Sequence, residues 1–316
     1  MGIISVIIGL GVFILKEFIR KLLKYKPFIF LDHLAYRVDE DAIFAIGAQL
    51  AYFLILSIFP FIILLLNIIS FTPLVRIDVL NEIIQYLPTD VQSIINTFAD
   101  DIVINSSQGL LSIAALAGVW TASTGVNSAI KAINRAYDYE ETRSFIELRF
   151  LSILFTIVLI LLLIIVFAML VVGEILGIKI FELLGHKKAF LDMWRNIRFI
   201  IPFIFMTITF SLLYKFSPCL KKDCKIRFRD TLPGSIFSSI GWILISSAFS
   251  YYVKNFGRYS ATYGSIGGVI VLLIWLYMSS IIVVLGGEVN ASISYLKAHE
   301  LNAGEKSFIR RIFKFD

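Results

Sequence analysis

The side chains that most often bind metals or act as nucleophiles are few in this sequence. The histidines His33, His186 and His299 have no histidine or cysteine partner at the spacing of a metal site. Cys219 and Cys224 lie in a basic segment, where free thiols are the better interpretation. Phosphate-binding loops, dinucleotide-binding fingerprints and nucleophile elbows are absent from the sequence. We therefore expect no enzyme, no metal and no cofactor, while an isolated catalytic carboxylate stays open as an alternative.

Polar side chains inside long apolar segments are the other candidates for chemistry, because a polar group at membrane depth is costly and often functional. The amide of Gln49 has two donors and two acceptor lone pairs, which its own helix cannot all satisfy. Lining a site and holding the structure together are equally open roles for it. We expect Tyr52, Trp120 and Asn127 to line the same polar cavity. For serine and threonine an interhelical hydrogen bond is the commoner role.

Composition indicates that these residues lie in a membrane protein. Of 316 residues, 58% are hydrophobic and 16% are charged, against about 45–50% and about 25% in ordinary globular domains. A spanning helix needs about 20 apolar residues, and five stretches without charge are long enough; Phe199 to Tyr214 is a shorter sixth. The five lie between Asp41 and Arg76, Asp101 and Lys131, Arg149 and Glu174, Asp230 and Lys254, and Arg258 and Glu288. The fold class predicted is an all-α, polytopic membrane helix bundle with six transmembrane helices.

Two further amphipathic regions accompany the spans. Residues 2–15 are apolar but short, and the basic stretch 16–26 follows them, which favours an N-terminal interfacial helix and leaves a seventh span open. Apolar residues recur at helical spacing within residues 78–99, between the first two spans. They predict two amphipathic helices on the outer face, which rest on the interface, cap the bundle or form a lid over a cavity.

The distribution of basic residues predicts the orientation. Of 29 lysines and arginines, 21 lie on the side that holds both termini, so both termini are expected in the cytoplasm. The net charge of +6 is thereby explained without a nucleic-acid partner. The basic loop at residues 179–198 is the exception, because it falls on the outer side.

Small and polar residues mark the faces where helices approach closely in lipid. The third span is apolar on every side, which predicts a peripheral helix. The first, fifth and sixth spans are expected to form the core. Their stripes include Gln49, Tyr52 and Pro60 in the first, Gly234, Ser238 and Trp242 in the fifth, and Gly264, Gly268, Trp275 and Gly286 in the sixth.

Several ordered stretches together resemble the YihY/BrkB membrane proteins. They are LAYFLILSIFPFIILL, VWTASTGVNSAIKAINRAYDYEETRSF, DTLPGSIFSSIGWIL and YGSIGGVIVLLIWLYMSSIIVVLGGEVNA. The resemblance covers about residues 32–298, leaving 1–31 as the N-terminal amphipathic region and 299–316 as a basic cytoplasmic tail. It implies a six-helix inner-membrane protein of poorly defined activity. The family's former ribonuclease BN label is regarded as a misassignment, and some members are associated with envelope integrity or lipid export.

The resemblance also implies which polar positions matter. A contact between Glu288 and either Arg135 or Arg143 is expected at the cytoplasmic boundary, because a carboxylate there needs a cationic partner. It acts as a structural clamp or as a gate. The positions that match the family are Tyr52, Ser57, Pro60, Trp120, Asn134, Arg135, Tyr137, Glu141, Arg143, Gly234, Tyr263, Gly264, Trp275, Gly287, Glu288 and Asn290.

These observations predict a multi-pass protein of the inner or plasma membrane that contacts membrane lipids. A transporter or lipid-translocating protein with a lipid or small-molecule substrate is the leading hypothesis, without a visible driving force. A structural envelope scaffold is the alternative, followed by a membrane-embedded hydrolase and, last, a soluble RNA-processing enzyme. The sequence leaves the oligomeric state open.

Overall fold

The computed structural model describes residues 25–70, 108–218, 226–256, 266–299 and 307–313, and these ranges are helical without any strand. This confirms the all-α fold class. We number the described helices in chain order. They are α1 (Lys26–Glu40), α2 (Ile43–Ser70), α3 (Gln108–Ala136), α4 (Phe145–Leu183), α5 (Lys187–Phe216), α6 (Phe228–Phe256), α7 (Gly267–Ala298) and α8 (Phe308–Phe313).

Four of these helices are long and apolar enough to cross a membrane, namely α4, α5, α6 and α7. A fifth crossing results if α1 and the first half of α2, which are bent by 58° at a short break, count as one span. A multi-pass membrane bundle is therefore confirmed, whereas the predicted count of six is not. The predicted N-terminal helix over residues 2–15 and the outer helices within 78–99 lie outside the described residues.

The bend between α1 and α2 follows from local backbone geometry. Proline in the first turn of α1 matches a position where its missing N–H costs nothing. The N–H of Asp41 closes the end of α1 on the carbonyl of Arg37, and Ala42 then adopts a positive φ of 51°. The second helix begins at Ile43, one residue later. The turn places the polar end of α1 directly beside the start of an apolar span.

Helix α4 begins with a capping box. The hydroxyl of Ser144 accepts the Glu147 N–H, and the Glu147 carboxylate accepts the Ser144 N–H, so two otherwise unpaired donors are satisfied. Beyond this start the helix exposes large apolar side chains such as Leu161, Ile165 and Met169. Helix α4 packs only along α3 and α5 among the larger described contacts. It is the peripheral, lipid-facing helix that its composition predicted.

Helix α7 lies at the centre of the described bundle, packing against α1, α2, α3 and α6. The predicted contact of the last span with the first and the fifth is thus confirmed. A Cβ atom on Gly234 of α6 would lie 2.0 Å from the Gly286 carbonyl oxygen, and one on Gly286 would lie 1.9 Å from the Ser238 hydroxyl. The two backbones therefore approach too closely for any larger residue, as at other close helix crossings in membranes.

Candidate functional site

A buried ion pair joins the first and the seventh described helices. Nε of Arg37 in α1 donates to Oε2 of Glu288 in α7 at 2.7 Å. Arg37 is 2% exposed and Glu288 is 0% exposed. The second carboxylate oxygen of Glu288, Oε1, is buried without a hydrogen-bond partner. Since an unpaired charge at this depth is costly, the two side chains hold their helices together.

Three more charged residues complete what we call the ion cluster, defined as Arg37, Asp41, Arg135, Asp138 and Glu288. The Arg37 guanidinium also contacts Asp138 at 3.1 Å and Asp41 at 3.4 Å, and it donates to the Ala136 carbonyl. Oδ1 of Asp41 in turn accepts a hydrogen bond from Nε of Arg135 at 2.8 Å. Three carboxylates thus face two guanidinium groups. The ionised cluster carries one excess negative charge and links α1, α3 and α7 at the turn into α2.

A second polar group lies in the segment between α3 and α4. Arg143 forms a two-pronged pair with Glu141 at 2.6 and 2.7 Å and donates to the Ser217 carbonyl at the end of α5. Asn134, which is buried, donates to Glu141 at 3.4 Å. Burial, and after it the charge of Asp230, raises the pKa of the neighbouring Tyr137 phenol. That phenol therefore stays neutral at physiological pH, and these contacts fix the segment against the bundle.

Asn290 serves helix packing, because both ends of its amide are used. Its Oδ1 accepts the Gly234 N–H at 2.7 Å, and its Nδ2 donates to the Thr231 carbonyl at 3.0 Å. These bonds join α7 to the first turns of α6 beside the Gly234 to Gly286 approach. Gly287 lies next to Ile133 and Tyr214. The two helices are closely packed at this point, and no side chain larger than hydrogen fits at Gly234 or Gly286.

The residues expected to line a cavity do not gather around the ion cluster. Gln49 is exposed, and Tyr52 and Trp120 are each 56% exposed. Asn127 has a buried Oδ1 without a hydrogen-bond partner, whereas Ser57 bonds to a carbonyl of its own helix. Trp275 donates to Ser246 at 3.1 Å, and Gly268 lies in the first turn of α7. Tyr263, Gly264 and the side chain of Pro60 lie outside the described residues.

The expected partner of Glu288 is corrected by the structure. Arg135 pairs with Asp41 and Arg143 pairs with Glu141, while Arg37 pairs with Glu288. Arg37 was not among the expected residues because it lies before the first span and outside the positions that match the family. The sequence feature that could have identified Arg37 is its four-residue spacing from Asp41. This spacing places a base and an acid on one face at the end of α1. The prediction that the Glu288 carboxylate needs a cation was nevertheless sound.

An apolar groove lies apart from these groups, between α1, α2 and α8. It has a volume of about 690 Å³, and Leu34, Val38, Phe44 and Phe308 are among its lining residues. Ser307 and the Ile309 N–H bond to Asp32 there, tying α8 to α1. Within the described ranges, no group of three or more His, Cys, Asp or Glu side chains is arranged to hold a metal ion.

The chain is similar in sequence to a protein family and to several individual proteins. The sequence pattern of the virulence factor BrkB family matches residues 34–309. The putative ribonuclease-like protein YfkH of Bacillus subtilis is 42% identical over 78% of this chain and 88% of its own length. A UPF0761 membrane protein of Photobacterium profundum is 26% identical over 87% of this chain and 84% of its own, and one of Haemophilus influenzae is 21% identical over 81% and 92%. No solved structure matches the chain.

Proposed function

Because the chain belongs to the virulence factor BrkB family of membrane proteins, we propose that it is a transporter or lipid-translocating protein of the cell envelope. The observation that carries the proposal is the ion cluster, whose members Arg37, Asp41 and Glu288 are buried in a chain with several helices apolar enough to cross a membrane. Ionisable residues within membrane bundles are costly, and they mark substrate paths, ion paths and gates. The ribonuclease-like name of the Bacillus relative adds no evidence of catalysis.

The charges of the cluster favour a gate over a fixed clamp. If α7 moves away from α1, Arg37 loses Glu288 but keeps Asp41 and Asp138 within reach. The excess carboxylate therefore lets the guanidinium change partners without becoming an isolated buried cation, which would cost several kcal/mol. After such a separation the two arginines balance Asp41 and Asp138, and Glu288 loses its cation, so the opening step requires that Glu288 be hydrated or protonated.

Direction and energy source belong to the same proposal. With both termini in the cytoplasm, the ion cluster lies at the cytoplasmic end of the bundle. The sequence has no nucleotide-binding loop, so movement of the substrate is passive or coupled to an ion. The protein is expected in the cell membrane, where a lipid or another amphipathic metabolite is its substrate.

Reconstitution in vesicles tests the proposal. Full-length protein is placed in vesicles that contain a trace of fluorescent phospholipid, and the fraction bleached by external dithionite is followed with time. In empty vesicles about half of the fluorescence is lost, because dithionite reaches only the labelled lipid of the outer leaflet. If the protein translocates lipid, labelled lipid from the inner leaflet is bleached as well and the remaining fluorescence falls. Water-soluble metabolites are tested by uptake in parallel. A broad panel of lipids and metabolites that behaves as in empty vesicles contradicts the proposal.

A structural scaffold is the second candidate, and the closed contact of α6 with α7 favours it. Gly234, Gly286 and Asn290 leave no room between these helices. A scaffold needs such a rigid interior and a docking partner, whereas a carrier needs helices that separate. Crosslinking in intact cells followed by mass spectrometry discriminates between them. A stable partner in fixed stoichiometry, combined with no transport, favours the scaffold.

A further inference from the structure

A second buried cation, Arg149 of α4, has no charged partner among the residues that the structure describes. Arg149 is 9% exposed. Its Nη1 donates to the Thr124 hydroxyl at 3.1 Å and its Nη2 to the Trp120 carbonyl at 2.9 Å, both in α3. Its Nε is buried without a hydrogen-bond partner. Within the ranges that the structure covers, no carboxylate lies within 4.0 Å of its nitrogens, in contrast to Arg37.

The level of this guanidinium makes the missing charge costly. Lys131 is exposed and marks the polar end of α3. Thr124 lies seven residues before Lys131, which is about 10 Å along the helix axis toward the apolar part of the bundle. Arg149 itself lies in the second turn of α4, two residues after the exposed Glu147, so its long side chain reaches the level of the lipid headgroups. Its counter-ion is therefore expected from the surrounding lipid.

The surface around Arg149 has a cation, an indole ring and apolar side chains, the groups that contact the headgroup end of a phospholipid. The guanidinium carbon lies 3.6 Å from the centre of the Trp120 ring, which is itself 56% exposed. Tryptophan is favoured at the level where lipid headgroups meet the hydrocarbon. The neighbouring residues Phe145, Ile146 and Phe150 are 69–77% exposed and apolar. A cation beside an indole and an apolar helix face offers contacts to both a phosphate and an acyl chain.

We propose that Arg149, together with Trp120 and Thr124, binds the phosphate group of an anionic membrane phospholipid, whose net charge supplies the counter-ion. A guanidinium has five N–H donors, of which two are used by Thr124 and by the Trp120 carbonyl. The remaining donors match phosphate oxygens in geometry and charge. The proposal deepens the proposed function by naming a ligand class, but a lipid bound here need not be moved.

Native mass spectrometry of the full-length protein in detergent tests the site. Phosphatidylglycerol, phosphatidylcholine and inorganic phosphate are titrated separately and in competition. Replacing Arg149→Gln is expected to weaken phosphatidylglycerol binding about tenfold or more, as loss of a charge-assisted bond does. The matched control is Arg198→Gln, which removes an exposed arginine that lies over Phe199, and it is expected to leave binding unchanged.

Two results overturn the proposal. Equal binding by the Arg149 and Arg198 variants shows that Arg149 holds no lipid. Displacement of phosphatidylglycerol by an equal concentration of inorganic phosphate assigns the site to a soluble anion instead. If binding depends on Arg149 while vesicles show no translocation, the site stands and the proposed function fails.

A second measurement covers the case in which the Arg149 variant does not fold. In wild-type protein, phosphatidylglycerol brominated near the headgroup is mixed at a low fraction into unlabelled phosphatidylcholine. The difference between wild type and Trp120→Phe isolates the fluorescence of Trp120 from the other three tryptophans. Stronger quenching of Trp120 by brominated phosphatidylglycerol than by brominated phosphatidylcholine is expected. Equal quenching by the two lipids contradicts a phosphate-selective site for the anionic lipid.

Discussion

At the scale of single residues, Arg37 is the centre of the charged core. It forms ion pairs with three of the other four cluster residues, Asp41, Asp138 and Glu288. Replacing Arg37→Gln leaves Asp41, Asp138 and Glu288 facing one remaining cation. We expect a loss of about 3–5 kcal/mol in the free energy of unfolding, the range found when one member of a buried pair is removed. Reversible unfolding in mixed micelles measures it.

Two neighbours serve as controls for that prediction. Glu288→Gln removes the excess negative charge and leaves Arg37 with two carboxylates, so we expect a loss of about 1 kcal/mol. Arg135, whose side chain is 56% exposed, is expected to contribute about 0–1 kcal/mol, as exposed ion pairs do. A Glu288→Gln variant as unstable as Arg37→Gln contradicts the excess-charge account of the ion cluster.

Residue types predicted part of this site and left part of it out. Glu288 was identified because it matches a polar position of the resembled family at the end of an apolar span, where a carboxylate needs a cationic partner. Its partner was not, because Arg37, Arg135 and Arg143 are all basic residues near the same boundary and only folding decides which one reaches it. The bend at Asp41 and Ala42 decides in favour of Arg37. A sequence pattern does not specify that angle.

At the scale of elements, the approach of α6 to α7 is the tightest helix contact described by the glycine geometry. Gly234→Ala would place a methyl group 2.0 Å from the Gly286 carbonyl oxygen and 2.5 Å from Nδ2 of Asn290. Backbone atoms cannot yield as a flexible side chain does, so we expect a loss of about 1–3 kcal/mol or more in the free energy of unfolding. Unfolding in mixed micelles checks this as well.

Gly125 in α3 supplies the matched control. A Cβ atom there meets Phe53 at 3.5 Å, which is ordinary contact. Alanine also has a higher helix propensity than glycine. We therefore expect Gly125→Ala to be neutral or slightly stabilising. If both alanine variants unfold alike, the close approach of α6 and α7 is not what limits Gly234.

The elements themselves were largely predictable, because hydrophobic length sets where a spanning helix can form. The stripes of glycine and serine predicted that the last span packs on the first and the fifth. The stripes did not predict the hydrogen-bond partners of individual polar groups. Both ends of the Asn290 amide, for example, bond to backbone groups of α6. Gln49 and Tyr52, which are exposed, show the same limit of sequence patterns. Helical spacing places residues on one face of a helix but does not tell which element packs against that face.

At the scale of the whole molecule, the orientation is a prediction from the basic residues. Both native cysteines, Cys219 and Cys224, lie in the basic sequence segment between α5 and α6. We expect a membrane-impermeant maleimide to label them only after the cell membrane is opened. In a variant lacking both, Leu184→Cys in the exposed turn between α4 and α5 is expected to react in intact cells. The reverse pattern of labelling contradicts the predicted orientation and places the ion cluster at the outer end.

The gate requires that α7 move away from α1 during transport, and a reversible lock between α7 and the start of α2, which follows α1 after the turn at Asp41 and Ala42, tests it most directly. A Cβ atom on Gly47 would lie 2.6 Å from Cγ1 of Ile281, close enough for a disulfide between cysteines at the two positions. The double variant Gly47→Cys and Ile281→Cys is made without the native cysteines and placed in vesicles. We predict that lipid translocation or uptake stops when the pair is oxidised and returns on reduction. Unchanged transport in the oxidised, fully crosslinked protein would contradict the gate.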